Sequence, residues 1–301
     1  MTLPAAALRR PTLLIVGCGD VGLRVLKLLR RRWRVLALSS SADRLPALRA
    51  AGAVPLLGNL DDPATLGRLG GLADRVLHLA PPAAQGTLDT RTQHLLQALA
   101  RGGRVRRLVY ASTTGVYGDC RGAQFDETRT VNPGTDRARR RVDAEARVRR
   151  FGRQTGACVT LLRIPGIYAA DRPGGHPRER LLRGTPLLVR EDDVFTNHIH
   201  ADDLARACVA ALLRGLPQRV VHASDDTDLR MGDYFDLAAD LCDLPRPRRV
   251  TREEALQVLP PVLLSFMGES RRLVNSRLKR ELKLTLQHPT VADGLAAGLP
   301  P

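Results

Sequence analysis

Gly17-Cys18-Gly19-Asp20-Val21-Gly22 lies between the apolar run Thr12-Leu13-Leu14-Ile15-Val16 and the helical pattern that begins at Val21. It reads G-x-G-x-x-G at a strand-to-helix turn, and each glycine has a task there. Gly17 permits the tight turn, Gly19 lets a pyrophosphate approach the backbone, and Gly22 lets the helix pack closely on the strand. The helix start, with Asp20 and Val21 in its first turn, offers free N–H groups and the positive end of the helix dipole to phosphate. The stretch predicts a dinucleotide site on a Rossmann-type α/β sheet.

The surrounding pattern agrees. Up to residue 165, strand and helix signals alternate: strands at 12–17, 34–38, 53–57, 74–79, 105–110 and 158–163, helices near 20–31, 42–51, 61–69, 87–101 and 136–153. The strands are short and apolar on both faces (Val35-Leu36-Ala37-Leu38, Leu108-Val109-Tyr110-Ala111), as a doubly wound parallel sheet covered by helices requires. After Pro165-Gly166 the pattern loosens around Arg172-Pro173-Gly174-Gly175. A helix at 201–214 and a strand at 219–223 return to the sheet, and helical patterns recur near 231–241, 251–258, 270–282 and 290–297. The expected organisation is a dinucleotide-binding unit of residues 1–165 with 200–223, and a smaller C-terminal substrate lobe of 166–199 and 224–301.

The composition narrows the function classes. A chain of 301 residues, 44% hydrophobic, buries a real core. It has no apolar run near the ~18–20 residues that a membrane helix needs. Thr12–Val16 is too short for a signal peptide, and Arg9-Arg10 reads as a basic tail, so the expectation is a cytoplasmic protein with no membrane partner. The five cysteines (18, 120, 158, 208, 242) are scattered and show no zinc spacing; they read as reduced thiols, with Cys18 a small filler of the phosphate loop. The net charge of +16 is nearly all arginine, with Lys only at 27, 279 and 283. The basic run Arg137–Arg153 has no interleaved aromatic before Phe151 and no accompanying nucleic-acid motif. It reads as a solvated face or an attraction for an anionic small molecule, and no nucleic-acid partner is expected.

Cofactor choice is decided after the second strand. An NAD-binding site usually places a carboxylate there; this chain has Leu38-Ser39-Ser40-Ser41-Ala42-Asp43-Arg44. Hydroxyls of Ser39, Ser40 and Ser41 with the guanidinium of Arg44 suit a 2′-phosphate and favour NADP, with NAD as the alternative if Asp43 turns inward. Asn59, Leu60 and Asp61 end the third strand, where Leu60 can meet adenine and Asp61 its amino group; Asp61 is also a candidate cap for the next helix. Leu79, Ala80 and Pro81 end the fourth strand, where backbone runs along the cofactor. His78 before them reads as a satisfied strand histidine.

The next block is Tyr110-Ala111-Ser112-Thr113-Thr114-Gly115-Val116-Tyr117-Gly118. With the glycine loop, Leu162-Arg163-Ile164-Pro165-Gly166-Ile167-Tyr168 and His198-Ile199-His200-Ala201-Asp202-Asp203-Leu204-Ala205, it resembles the extended short-chain dehydrogenase/reductase family, of the epimerase/dehydratase type. The resemblance runs over about residues 12–245. It implies NAD(P)-dependent redox chemistry at a hydroxyl or carbonyl carbon, with Thr113 polarising the substrate oxygen and Ser112 and Pro165 beside the cofactor. It also implies Thr114 and His198 near the substrate.

The chain departs from the family at its acid/base pair, Tyr-x-x-x-Lys. Aligning Glu145 with the family's following glutamate puts Arg137 at the tyrosine position and Arg141 at the lysine position. Arginine stays protonated and cannot shuttle a proton near neutrality. Arg141 can still hold the nicotinamide ribose and Arg137 can stabilise charge. The proton would then come from Tyr117, Tyr168, His198, His200 or water. His198, His200, Asp202 and Asp203 also permit a metal reading, which the family resemblance disfavours, and no metal is expected. Farther on, Ser270, Arg271, Arg272 and Asn275 are candidates for the substrate side, with Phe266 and Met267 in the core.

The reading is an atypical extended short-chain dehydrogenase, an NAD(P)-dependent oxidoreductase or epimerase acting on a sugar-nucleotide or other anionic small-molecule substrate. The rival is a non-catalytic NADP-binding sensor with a degenerate Tyr-x-x-x-Lys site. The resemblance also implies a homodimer through helices 87–101 and 136–153, which the arginines of the second helix oppose by like-charge repulsion.

Overall fold

The computed structural model describes residues 10–29 and 32–297. Arg9 and the last two residues of the expected helix 20–31 lie outside them. Seven parallel strands form the central sheet: β1 (Thr12–Val16), β2 (Arg34–Ser39), β3 (Val54–Leu57), β4 (Arg75–His78), β5 (Arg107–Thr113), β6 (Cys158–Ile164) and β7 (Arg219–His222). Their order across the sheet is β7-β6-β5-β4-β1-β2-β3. The chain reverses direction across the sheet between β1 and β4, and this switch point opens a crevice at the carboxyl ends of the strands.

The helices α1 (Asp20–Leu29), α2 (Leu45–Ala50), α3 (Thr90–Ala100), α4 (Asp136–Thr155), α5 (Ala201–Arg214) and α6 (Met231–Leu241) follow. Side chains alternate between the two faces of each strand. Leu13 and Ile15 of β1, Val109 of β5 and Leu162 of β6 pack under α1 and α5. Leu14, Val16, Leu108 and Leu161, each one residue out of phase, pack under α3 and α4. Both faces are buried, which is why these strands read as continuous apolar runs. A third core, with Leu187, Tyr234, Phe235, Val250 and Leu295, belongs to residues after 165.

α4 shows how an arginine-rich stretch becomes a helix. Thr135 caps it by accepting from the Ala138 amide at 3.2 Å, and Gly156 ends it in the left-handed region at φ +73°. Ala144, Val148 and Phe151 give it a buried stripe, and most of its arginines lie outside that stripe.

Several expected elements differ in form. Residues 63–69 are a 3₁₀ segment that starts at Pro63, and its cap is Asp62, not Asp61. Residues 42–44 are also a 3₁₀ turn, leading into α2. β5 runs on to Thr113, since its Ser/Thr end still pairs with β6. The expected helix 270–282 is a short strand, Arg272–Leu273, and a helix, Ser276–Arg280. Short helices at Arg178–Leu182 and Pro261–Phe266 have too few residues to show a period. Among the described residues no helix is long and apolar enough to cross a membrane.

Candidate cofactor and substrate crevice

The glycine loop has the geometry its sequence implies. Gly17 has φ +84°, and a Cβ there would stand 2.5 Å from the Ala80 backbone nitrogen. The reason is that the chain leaving β4 crosses directly over the turn: the amides of Leu79 and Ala80 both donate to the Val16 carbonyl, at 2.8 and 3.0 Å. Gly19 faces open space, the room a pyrophosphate needs. A Cβ on Gly22 would come within 3.1 Å of Cys18 Sγ, so Gly22 and Cys18 share one tight packing site. Burial pushes the Cys18 thiol up to about 11, which fits an inert filler. Val21 packs at the edge of the core under α1.

Beside the loop lies a cavity of ≈ 370 Å³. Gly17, Ala80 and Pro81 wall one side, Ser39, Ser40, Ser41 and Arg44 a second, and Asn59, Leu60 and Asp61 the third. Ser39 Oγ is 3.2 Å from the Ser41 amide, and Ser41 makes no side-chain cap. Arg44 is exposed and donates to the Cys18 carbonyl at 2.8 Å, which holds its guanidinium over the loop. No carboxylate stands at the end of β2. Asp61 lines the cavity with both its oxygens accepting from Arg91, at 2.6 and 2.7 Å, and this pair holds its carboxyl below the usual range. Arg91, on α3, was not foreseen, because nothing in its local sequence marks it.

A second cavity, ≈ 440 Å³, lies between the end of β5 and residues after 165. Thr113, Thr114, Arg137, Pro165, His198 and Arg271 all line it. Thr113 Oγ1 accepts from the Gly115 amide at 3.3 Å, leaving its proton available to a bound oxygen. Arg271 is engaged with Glu269 at 2.6 Å and the Gly118 carbonyl at 3.0 Å. His198 is 7% exposed and stacks on Tyr234 with ring centroids 4.2 Å apart; burial drives it down to about 3, so it is neutral. Phe266 also lines this cavity and is exposed, whereas Met267 is core. The expectation that both are core is corrected: on this short surface helix only the residue after its end turns inward.

Six expected site residues are engaged elsewhere. The hydroxyl of Ser112 points into the interior and donates to Glu145 Oε1 at 2.6 Å. Glu145 in turn holds Arg163 through two bonds, at 2.7 and 3.0 Å. Tyr117, expected as a proton donor, is 1% exposed and takes a 2.7 Å bond from Arg163. Its proton has a fixed destination. His222 Nδ1 is 2.9 Å from the Val274 carbonyl, which can only accept, so Nδ1 carries the hydrogen and Nε2 accepts from Tyr117 at 2.6 Å. Burial pushes the Tyr117 phenol up to about 12. Arg141, expected on the ribose, spends Nη1 on the Tyr110 hydroxyl and the Ala111 carbonyl. Of the C-terminal candidates only Arg271 reaches the crevice: Asn275 holds the Ser224 and Asp225 carbonyls, Arg272 pairs with Asp228, and Ser270 braces the Phe195 amide.

Other candidate proton carriers are also engaged. Tyr168 donates to the Thr290 carbonyl, and His200 Nδ1 accepts from the Asp202 amide as a helix cap. His78 is a buried strand histidine as expected, with Nε2 donating to Thr92 Oγ1 at 2.8 Å, but it is only half satisfied, since its buried Nδ1 has no partner among the described residues. His200, Asp202 and His288 each bring one donor atom within 4.8 Å of the others, but Asp202 Oδ1 is held by Arg24 at 2.6 Å.

Asp20 has a second duty. It accepts from Arg24 one turn on and from Arg172 at 2.7 Å, while Arg24 also grips Asp171 and Asp202. The phosphate loop is thus tied to residues 171–172 and to the start of α5.

Comparison with known proteins agrees with this geometry. The NAD(P)H-binding family model matches residues 17–214. The bovine dTDP-D-glucose 4,6-dehydratase (Bos taurus) is 25% identical over 162 residues, which are 50% of this chain and 43% of that protein, so the chain spans less than half the length of that curated relative. A conserved protein of unknown function from Silicibacter pomeroyi superposes with a TM-score of 0.78 at 30% identity, over 96% of this chain and 98% of that one. The UDP-glucose 4-epimerase of Thermotoga maritima superposes with a TM-score of 0.77 at 19% identity, over 95% and 96%, and shares the fold. The glycine turn at the sheet's switch point, the cavity beside it and the family match over two thirds of the sequence carry one conclusion: this chain belongs to the NAD(P)H-binding family and has the fold of the extended short-chain epimerases and dehydratases.

Proposed function

We propose that this protein is an NADP-dependent oxidoreductase or epimerase-like enzyme acting on a hydroxyl or carbonyl carbon of an anionic small molecule. The observation that carries the reading is that one cavity lies against the glycine turn and another against Thr113, at the carboxyl ends of β1 and β5. The first suits the adenosine and pyrophosphate of a dinucleotide. The N–H groups at the start of α1 face the phosphates, and Ser40 with Arg44 suits a 2′-phosphate where a carboxylate would repel it. Thr113, free to donate, lines the second cavity with Pro165 and His198, which suits a nicotinamide and a substrate oxygen there.

When bound, the nicotinamide cofactor supplies or accepts the hydride. The chain's own residues hold it, and Thr113 hydrogen-bonds the substrate oxygen as charge develops there. The missing phenol at position 137 leaves proton transfer to solvent entering the open crevice. A neutral His198 can donate a hydrogen bond without delivering a full proton.

The commitment of Tyr117 to His222 supports a second reading, an NADP-binding sensor without turnover. Calorimetric titration with NADPH and NADH, on wild type and Gly19→Asp, tests the shared part. Tight NADPH binding that the variant loses supports both readings, and no binding of either nucleotide overturns both. Substrate-dependent oxidation of bound NADPH, lost in Thr113→Ala, then separates the enzyme from the sensor.

A further inference from the structure

The crevice beside Thr113 contains three guanidinium groups. Arg271 is neutralised by Glu269 at 2.6 Å. Arg137 and Arg180 also line the cavity, and among the described residues neither has a carboxylate within salt-bridge reach nor a side-chain hydrogen bond. Each lies over an aromatic ring: Arg137 over Phe266 at 4.7 Å from the ring centroid, Arg180 over Phe235 at 4.5 Å. A ring against the flat face of a guanidinium leaves its N–H edge as the side that accepts a partner.

Arg180 carries the argument furthest. Its Nε and Nη2 are shut off from solvent with no hydrogen-bond partner. Burial and the neighbouring Arg183 lower it to about 10. An unpaired, partly desolvated cation is costly, and a protein keeps one where something else supplies the counter-charge. The nearest acidic side chain on the cavity wall, Glu269, is already spent on Arg271, and His198 is neutral. Arg137 adds a second uncompensated charge, at the position where the resemblance puts the family's acid/base tyrosine.

We propose that Arg137 and Arg180 are a receptor for an oxyanion of the substrate, a carboxylate or a phosphoryl group, held within the reaction crevice itself. The substitution at position 137 thereby exchanges a proton donor for an anchor. This rests on reading the crevice as the substrate site of an NADP-dependent enzyme.

The test uses the full chain, with malonate as the carboxylate probe and inorganic phosphate as the phosphoryl probe. Binding is followed by calorimetry and thermal shift at ionic strength fixed with sodium chloride. Saturable binding of either anion is expected, and the anion that binds identifies the group. Arg137→Gln/Arg180→Gln should weaken it about 10- to 100-fold, as expected for lost hydrogen bonds to a charged group. Arg150→Gln/Arg153→Gln removes the same charge from exposed positions of α4 and should retain binding. Absence of any binding beyond that of chloride, or equal loss in the α4 variant, overturns the proposal. Should loss of Arg180 impair folding, Arg137→Gln alone carries the test, since that side chain is exposed and makes no hydrogen bond. NADPH titration of the same samples separates the two ideas. Wild type that binds NADPH but no anion removes only the receptor, whereas anion binding without NADPH binding removes the cofactor reading.

Discussion

Tyr117 Oη donates to Nε2 of His222 across 2.6 Å, and His222 is held in turn by the Val274 carbonyl. Tyr117→Phe should therefore act on stability and not on cofactor affinity. It leaves a buried imidazole nitrogen and an Arg163 N–H without partners, at a cost of about 1–3 kcal/mol. Urea unfolding alongside NADPH titration checks this: a drop in midpoint with unchanged nucleotide affinity is the expected result. Loss of turnover with unchanged stability would instead return Tyr117 to the reaction.

Gly17 and Gly19 should fail in different ways. Gly17→Ala places a methyl group 2.5 Å from the Ala80 nitrogen at φ +84°, so the fold itself is strained by about 1–3 kcal/mol or more. Gly19→Asp meets nothing within 4 Å and should fold within about 0.5 kcal/mol of wild type. Its carboxylate would then occupy the phosphate path and abolish nucleotide binding. Thermal melts and calorimetry on the two variants distinguish these fates.

Arg44 should set the nucleotide preference. Arg44→Gln is expected to weaken NADPH about tenfold or more, the loss of one charge-assisted contact, while NADH affinity stays the same. Equal weakening of both nucleotides would place Arg44 on the pyrophosphate instead.

Stability should fall as pH drops from 6.5 toward 4. Burial lowers His78 and His198 to about 3 and His222 to about 4, so the unfolded chain binds three protons in that window that the folded chain refuses. Asp225 works in the opposite direction: burial raises it to about 7, so the folded chain keeps one proton that the unfolded chain releases. Among these four groups the balance is two protons favouring unfolding, at roughly 1.4 kcal/mol per pH unit each. Asp225→Asn should remove the opposing contribution and steepen the dependence, as read by denaturant titrations between pH 4 and 7.

The sheet was legible because helix-covered parallel strands are short and mostly apolar on both faces, and this chain repeats such segments in alternation with helical patterns around one glycine turn. The lobe was less so: helices such as Pro261–Phe266 are too short for a period to emerge. The cofactor pocket could be read because its residues lie at strand ends, where sequence position implies spatial position. Arg91 and Arg180 escaped because they sit on helix faces whose orientation depends on packing from elsewhere in the chain. Ser112 and Tyr117 were misread for a related reason. Their neighbours in the fold, Glu145, Arg163 and His222, are 33 to 105 residues away and claim their hydroxyls.

The ties from Asp20 and Arg24 to residues 171, 172 and 202 have a mechanical consequence. The phosphate loop, the segment at residues 171–172 and the start of α5 are joined by one ionic strut. Seating a pyrophosphate against Gly19 loads that strut at Asp20, and the load is borne by Arg172, at the edge of the Pro173-Gly174-Gly175 bend. A bend with two adjacent glycines thus adjoins the point where force from the nucleotide would arrive.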